Sequence, residues 1–131
     1  MFKKPLIKEI FWFSTLIAVL HYLALKLYFY WTISWFDILM HLLGGYLIGL
    51  IALYLLLNFL DKEIISNRRI SLILVLSFVL IVGLGWELWE LFVNLTDIIE
   101  DRLDTAIDIV MDSIGGYFAF LYGKKHLWKR D

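Results

Sequence analysis

The chain has 131 residues, 62% of them hydrophobic and 19% charged, with a formal net charge of -1 and a mean hydropathy of +0.80. Soluble domains are only about half apolar, so this composition excludes an ordinary soluble domain and indicates an integral membrane protein, and the length indicates one transmembrane domain over residues 1–131. Cysteine is absent, which excludes disulfides, thiolate metal sites and cysteine nucleophiles.

The apolar runs are long, Leu/Ile-rich and not alternating, which excludes an outer-membrane barrel. A helix needs roughly 20 apolar residues to cross a bilayer. The expected fold is all-α and polytopic, with four transmembrane helices in a bundle at Leu6–Trp31, Ile33–Phe59, Ile70–Asn94 and Leu103–Tyr122. The start, "MFKKPLIKEIFWFSTLIAVL", is basic like a signal peptide. Its apolar run continues past Leu25 with no small-x-small cleavage site, so it reads as a retained anchor. A very short connection around Trp31 to Trp35 leads to the second span. "LDKEIISNRR" follows that span, and "LTDIIEDR" follows the third.

Basic residues cluster at Lys3, Lys4 and Lys8, at Lys62, Arg68 and Arg69, and at Lys124, Lys125, Lys129 and Arg130. If four spans alternate, all of these fall on one side, and the positive-inside rule then makes both termini cytoplasmic. Arg102 lies on the other side and Lys26 within a span. Trp12 and Trp128 suit the inner interface, Trp31 and Trp35 the outer one. This arrangement is that of a multi-pass protein of a bacterial or archaeal plasma membrane.

Two decapeptides repeat in register. "DILMHLLGGY" starts at Asp37 and "DIVMDSIGGY" at Asp108. Both lie on spans of the same direction, which suggests a pseudo-repeat of two helical hairpins about an axis along the membrane normal. The first and third spans show no matching repeat.

A helix turns about 100° per residue. Asp37, His41 and Gly44 therefore share a stripe, as do Asp104, Asp108, Asp112 and Gly115, and Gly83, Glu87, Glu90 and Asn94. Ser14, His21 and Tyr28 share one face of the first span. Counted from the helix ends, Asp37, His41, Glu87, Glu90, Asp104, Asp108 and Asp112 fall in one slab, the outer half of the bilayer. Each ionised acid near a span centre costs roughly 2.5–3.5 kcal/mol on the mildest scale. His21 and Lys26 cannot neutralise the set, which leaves protonation, water access or bound cations. Oxygen donors with one imidazole suit Mg, Mn or Zn. The expected metal ligands are Asp108, Asp112, Asp104, Glu87, Glu90 and His41, with His41 and Asp37 as candidate catalytic residues, the second orienting the first. Taken singly, these residues have blander readings: His41 as a packing histidine, Glu87 and Glu90 as a solvated cuff beside Trp86 and Trp89, and the Gly-Gly pairs as helix contacts. Asp97, Glu100 and Asp101 read as a wet outer loop.

"FDILMHLLGGYLIG", "GWELWELF" and "DRLDTAIDIVMDSIGG" resemble the YjdF-like family of small prokaryotic membrane proteins, over Asp37 to Gly116. The chain is more loosely similar to VanZ-like proteins, although Asp112 stands where those have Asn. The resemblance brings no settled activity; the VanZ-like proteins' association with glycopeptide resistance points to the cell envelope. The acidic stretch is also similar to the Glu-x-x-Asn-x-Ala-Ile-Glu-x-x-x-Asp helix of prokaryotic diacylglycerol kinases. Two arguments set that likeness aside: the expected orientation puts this helix end away from cytoplasmic ATP, and no span follows it here.

The leading expected function is metal-dependent hydrolysis or transfer at the phosphate of a lipid-linked envelope substrate, with the divalent ion polarising the phosphoryl group and His41 as ligand or general base. The alternatives are a metal-ion or proton carrier or channel subunit, and a non-catalytic envelope or assembly protein. The expected partners are membrane lipids, a lipid-linked substrate and further copies of the chain. A nucleic acid is not among them.

Overall fold

In the computed structural model, residues 3–93 and 102–127 are described. The expected loop around Asp97, Glu100 and Asp101, the position of Asn94, and Trp128, Lys129 and Arg130 lie outside them. Among the described residues six helices follow in order: α1 (Lys3–Leu27), α2 (Phe29–Thr32), α3 (Phe36–Phe59), α4 (Lys62–Ser66), α5 (Arg68–Phe92) and α6 (Arg102–Leu127).

The all-α expectation stands, but the expected four membrane spans do not. Among the described residues, three helices, α1, α3 and α5, are long and apolar enough to cross a membrane. The physical reason lies in the composition of α6. It has the length, 26 residues, but it spends its first half on Asp104, Asp108 and Asp112, its middle on Gly115 and Gly116, and its last turn on Lys124, Lys125 and His126. The placement of both termini in the cytoplasm rested on alternation of four spans and falls with it. So does the orientation that kept this helix end away from cytoplasmic ATP.

The long helices still pack together. α3, α5 and α6 each pack against the other two. Side-chain and backbone contacts from Gly45 to Asp112, Gly49 to Gly116 and Leu53 to Gly123 advance together along both chains, so α3 and α6 run parallel. Gly83 lies against Asp112 and Val79 against Gly116, so α5 runs antiparallel to α6. α1 runs antiparallel to α3: Lys3 Nζ donates to Asn58 Oδ1 at 2.8 Å, and the Phe13 and Tyr46 rings sit 4.6 Å apart. The starts of α1 and α5 and the ends of α3 and α6 therefore share one end of the bundle. That end carries Lys3, Lys4, Lys8, Arg68, Arg69, Lys124 and Lys125.

The hairpin repeat is also corrected. α5 packs against both α3 and α6, whereas α1 packs against α3 and not α6 among the described residues. A two-fold relation between hairpins requires both. The repeat survives only between α3 and α6.

α1 ends at Tyr28, a non-glycine residue in the left-handed region with φ 59°. Such a conformation costs on the order of 1–2 kcal/mol. The break turns α2 back, so that Phe29 and Tyr30 both pack on Phe36, with ring centroids 5.5 and 5.3 Å away. α4 occupies the stretch expected as a loop. Its neighbour Asn67 starts α5 as an N-cap, its side chain accepting from the amides of Arg69 and Ile70.

The core below the acidic region consists of Leu6, Leu50, Ala52, Leu53, Val75, Ala119 and Phe120. Outward from it, Phe11, Trp12, Val19 and Tyr22 of α1 and Ile73, Ile81 and Leu88 of α5 are exposed, as lipid-facing side chains are.

The two glycines of the first repeat should respond oppositely to substitution. A Cβ at Gly45 would strike the Asp112 carbonyl, while one at Gly44 meets nothing within 4 Å. Gly45→Ala is expected to destabilise by at least about 2 kcal/mol, and Gly44→Ala to stabilise by up to about 1 kcal/mol through helix propensity. Thermal unfolding in detergent checks both.

Candidate functional site

The site follows from the α3–α6 contact. A Cβ at Gly115 would collide with the Leu42 carbonyl and come within 2.6 Å of the Tyr46 amide. Only glycine at 45 and 115 lets two helix backbones approach this closely. At that separation the side chains one turn away must meet. His41 and Asp112, equivalent positions in the repeat with a sequence separation of 71, face each other: His41 Nδ1 lies 3.2 Å from Asp112 Oδ1. A carboxylate only accepts, so Nδ1–H donates to Asp112.

That bond determines what the other ring nitrogen can do. A neutral imidazole with its proton on Nδ1 presents a lone pair at Nε2. Nε2 lies 3.6 Å from Asp108 Oδ2 and 3.9 Å from Asp37 Oδ1. With the ring neutral, Nε2 and the two carboxylates bring three acceptors within 4.8 Å of one another. The arrangement is repulsive without a proton or a metal ion between them. Asp37 Oδ1, His41 and Asp108 offer ligand atoms all within 4.8 Å of one another. Two atoms bound to a tetrahedral ion at about 2.0 Å each lie about 3.3 Å apart; the histidine-to-carboxylate distances of 3.6 and 3.9 Å are near that value, while the set as a whole spans up to 4.8 Å and must contract to close a shell.

Burial sharpens the electrostatics. Asp108 is 4% exposed, Asp112 5% and Glu87 7%. The Asp37 side chain is 41% exposed, so the triad is open on the Asp37 side and closed on the Asp112 side. His41 is the basic group in every ion pair at the site among the described residues. Asp108 Oδ1 and Glu87 Oε1 are buried and have no hydrogen-bond partner. Buried polar groups are ordinarily paired.

The residues expected to act together separate into groups. Asp37, His41, Asp108 and Asp112 are brought together. Glu87 is adjacent but takes its hydrogen bond from Thr105 Oγ1 at 3.0 Å. Glu90 accepts from Trp86 Nε1 at 2.8 Å. Asp104 is exposed and outside the ion-sized triad. His21 is paired with Tyr30, its Nδ1 lying 2.8 Å from the phenol oxygen. Sequence reasoning overlooked Thr105 as the donor to Glu87, and Gly83 as the space into which Asp112 Oδ2 projects. A search of α6 for hydroxyls one turn from the aspartates finds the first of these.

The His41–Asp112 bond can be isolated energetically. A double-mutant cycle with His41→Ala and Asp112→Ala is expected to give a coupling of about 1–3 kcal/mol in unfolding free energy. Purely additive effects would mean that the pair does not interact.

Comparison with curated proteins and with solved structures gave no significant match. A family model described as "Predicted membrane protein (DUF2238)" matches residues 1–129. The match covers nearly the whole chain and agrees with three helices able to cross a bilayer: the protein belongs to the DUF2238 family of membrane proteins.

Proposed function

We propose that this protein binds a divalent cation between Asp37, His41 and Asp108, and uses it on a lipid-linked phosphate substrate at the membrane. The observation that carries the reading is the orientation of His41, with Nδ1 tied to Asp112 and Nε2 facing two carboxylates. Metal-bound histidines commonly donate their other N–H to a carboxylate, which fixes the tautomer and raises the basicity of the ligating nitrogen. Asp112 has that role here. His41 is thus a ligand, and its Nδ1 is unavailable as a general base.

The donor set of two carboxylate oxygens and one imidazole suits Mg, Mn or Zn. Three protein ligands leave positions free for water or substrate, as in catalytic sites. When bound, such an ion polarises a phosphoryl oxygen and brings water to reactivity near neutral pH. Asp37 sits at the exposed edge, where it can hold a proton of an incoming water. Asp37 lies in the first turn of α3, a helix long and apolar enough to cross a membrane, which favours a substrate with a lipid portion. The resemblance to YjdF-like and VanZ-like proteins supports an envelope substrate.

A carrier is the weaker reading. Beyond the site, Gly49 lies against Gly116 and Ala119, and Gly123 against Leu53. This close contact leaves no gap between α3 and α6 for an ion to continue along the bundle.

Metal analysis of purified protein tests the binding. Wild type is expected to carry stoichiometric divalent ion, lost in His41→Ala and Asp108→Asn. Asp112→Asn should weaken affinity by about 10–100-fold. Affinity should fall on acidification, because the imidazole must be neutral and the carboxylates ionised to bind. Mass spectrometry of lipid extracts tests the reaction: a dephosphorylated or transferred product is expected with wild type and not with Asp108→Asn. Ion uptake into liposomes without lipid turnover would favour the carrier.

A further inference from the structure

We propose that Glu87 and Asp108 hold a second divalent cation at the α5–α6 interface, with Asp108 shared between that ion and the His41 site. The proposal rests on the metal reading of the His41 site and extends it to a pair of ions.

The two oxygens of Asp108 have different surroundings. Oδ2 lies 3.6 Å from His41 Nε2. Oδ1 is buried and has no hydrogen-bond partner. Glu87 shows the same division: Oε2 accepts from Thr105 Oγ1, and Oε1 is buried without a partner. Both residues are more than nine-tenths buried. Thr105 precedes Asp108 by one helical turn, so its bond to Glu87 places the two carboxylates on adjoining turns of the same interface. One turn further along α5, Gly83 leaves space into which Asp112 Oδ2 projects; a Cβ there would come within 2.7 Å of that oxygen. Carboxylate oxygens from Glu87, Asp108 and Asp112 are thus associated with the α5–α6 seam.

No lysine or arginine pairs with these groups among the described residues. A single His41 cannot balance Asp37, Asp108, Asp112 and Glu87. Oxygen-only donors select a hard cation, and Mg²⁺ typically keeps several waters while using one or two carboxylates. Glu87 and Asp108 supply that number. A carboxylate shared by two ions sets them about 3.5–4 Å apart, the spacing of sites that clamp both oxygens of a phosphoryl displacement. The pair narrows the substrate class to phosphate esters or diphosphates of lipids.

Mn²⁺ titration of the full-length protein in detergent, read by low-temperature electron paramagnetic resonance, tests the proposal. Wild type is expected to take up two Mn²⁺ per chain and to show a spin-coupled spectrum. Glu87→Gln, nearly isosteric, should bind one and show an uncoupled six-line signal. Thr105→Val, which removes only the donor to Glu87, should weaken the second ion at least several-fold and spare the first. One uncoupled Mn²⁺ in wild type, insensitive to Glu87→Gln but lost in His41→Ala, would overturn the second site and leave the first intact. No Mn²⁺ binding at all would overturn both.

Discussion

The structure depends on how closely α3 and α6 approach. Glycine at positions 45 and 115 allows backbone to meet backbone, and the residues one turn away then have nowhere to go except toward each other. His41 meets Asp112 because of this contact. A bulkier residue at either glycine would push the helices apart and separate the pair without touching either side chain. The packing device of this helix pair and the geometry of the polar site are therefore one constraint.

The polar groups inside the bundle extend that logic. Buried carboxylates oppose assembly unless compensated. The protein meets this cost unequally. Glu90 and Glu87 receive hydrogen bonds from Trp86 and Thr105, and Asp112 receives one from His41. Asp108 is left with one oxygen toward the imidazole and one toward nothing. Glu87 Oε1 is likewise buried without a partner, an arrangement that is rare for buried polar groups.

Much of this was legible in the sequence, and the gaps have physical causes. Long apolar runs announce α1, α3 and α5 because hydropathy is a local property. The register of the two decapeptides places His41 opposite Asp112, since equivalent residues of parallel helices in contact lie at the same level. The number of spans was misread because α6 gives its central stripe to aspartates and glycines for its neighbours, which lowers its own hydropathy. The break at Tyr28 was invisible, because a tyrosine carries no signal for a left-handed backbone; it is held by aromatic contacts to Phe36. Asp104 and Glu90 share helix faces with the site residues, but face alone does not decide partnership. Trp86 claims one, and the other stays exposed. The hairpin repeat failed because the symmetry is local to α3 and α6, where the contact demands it. α1 and α5 pack on different neighbours.

Under the proposed function, Nε2 of His41 and the carboxylates of Asp37 and Asp108 share one cation. X-ray absorption spectroscopy of the zinc-loaded protein tests it most directly. A single imidazole in a shell otherwise of oxygens, at about 2.0–2.1 Å, is the predicted result, with the imidazole scattering absent in His41→Ala. A zinc shell of oxygens alone in wild type, or one unchanged by that substitution, would contradict it.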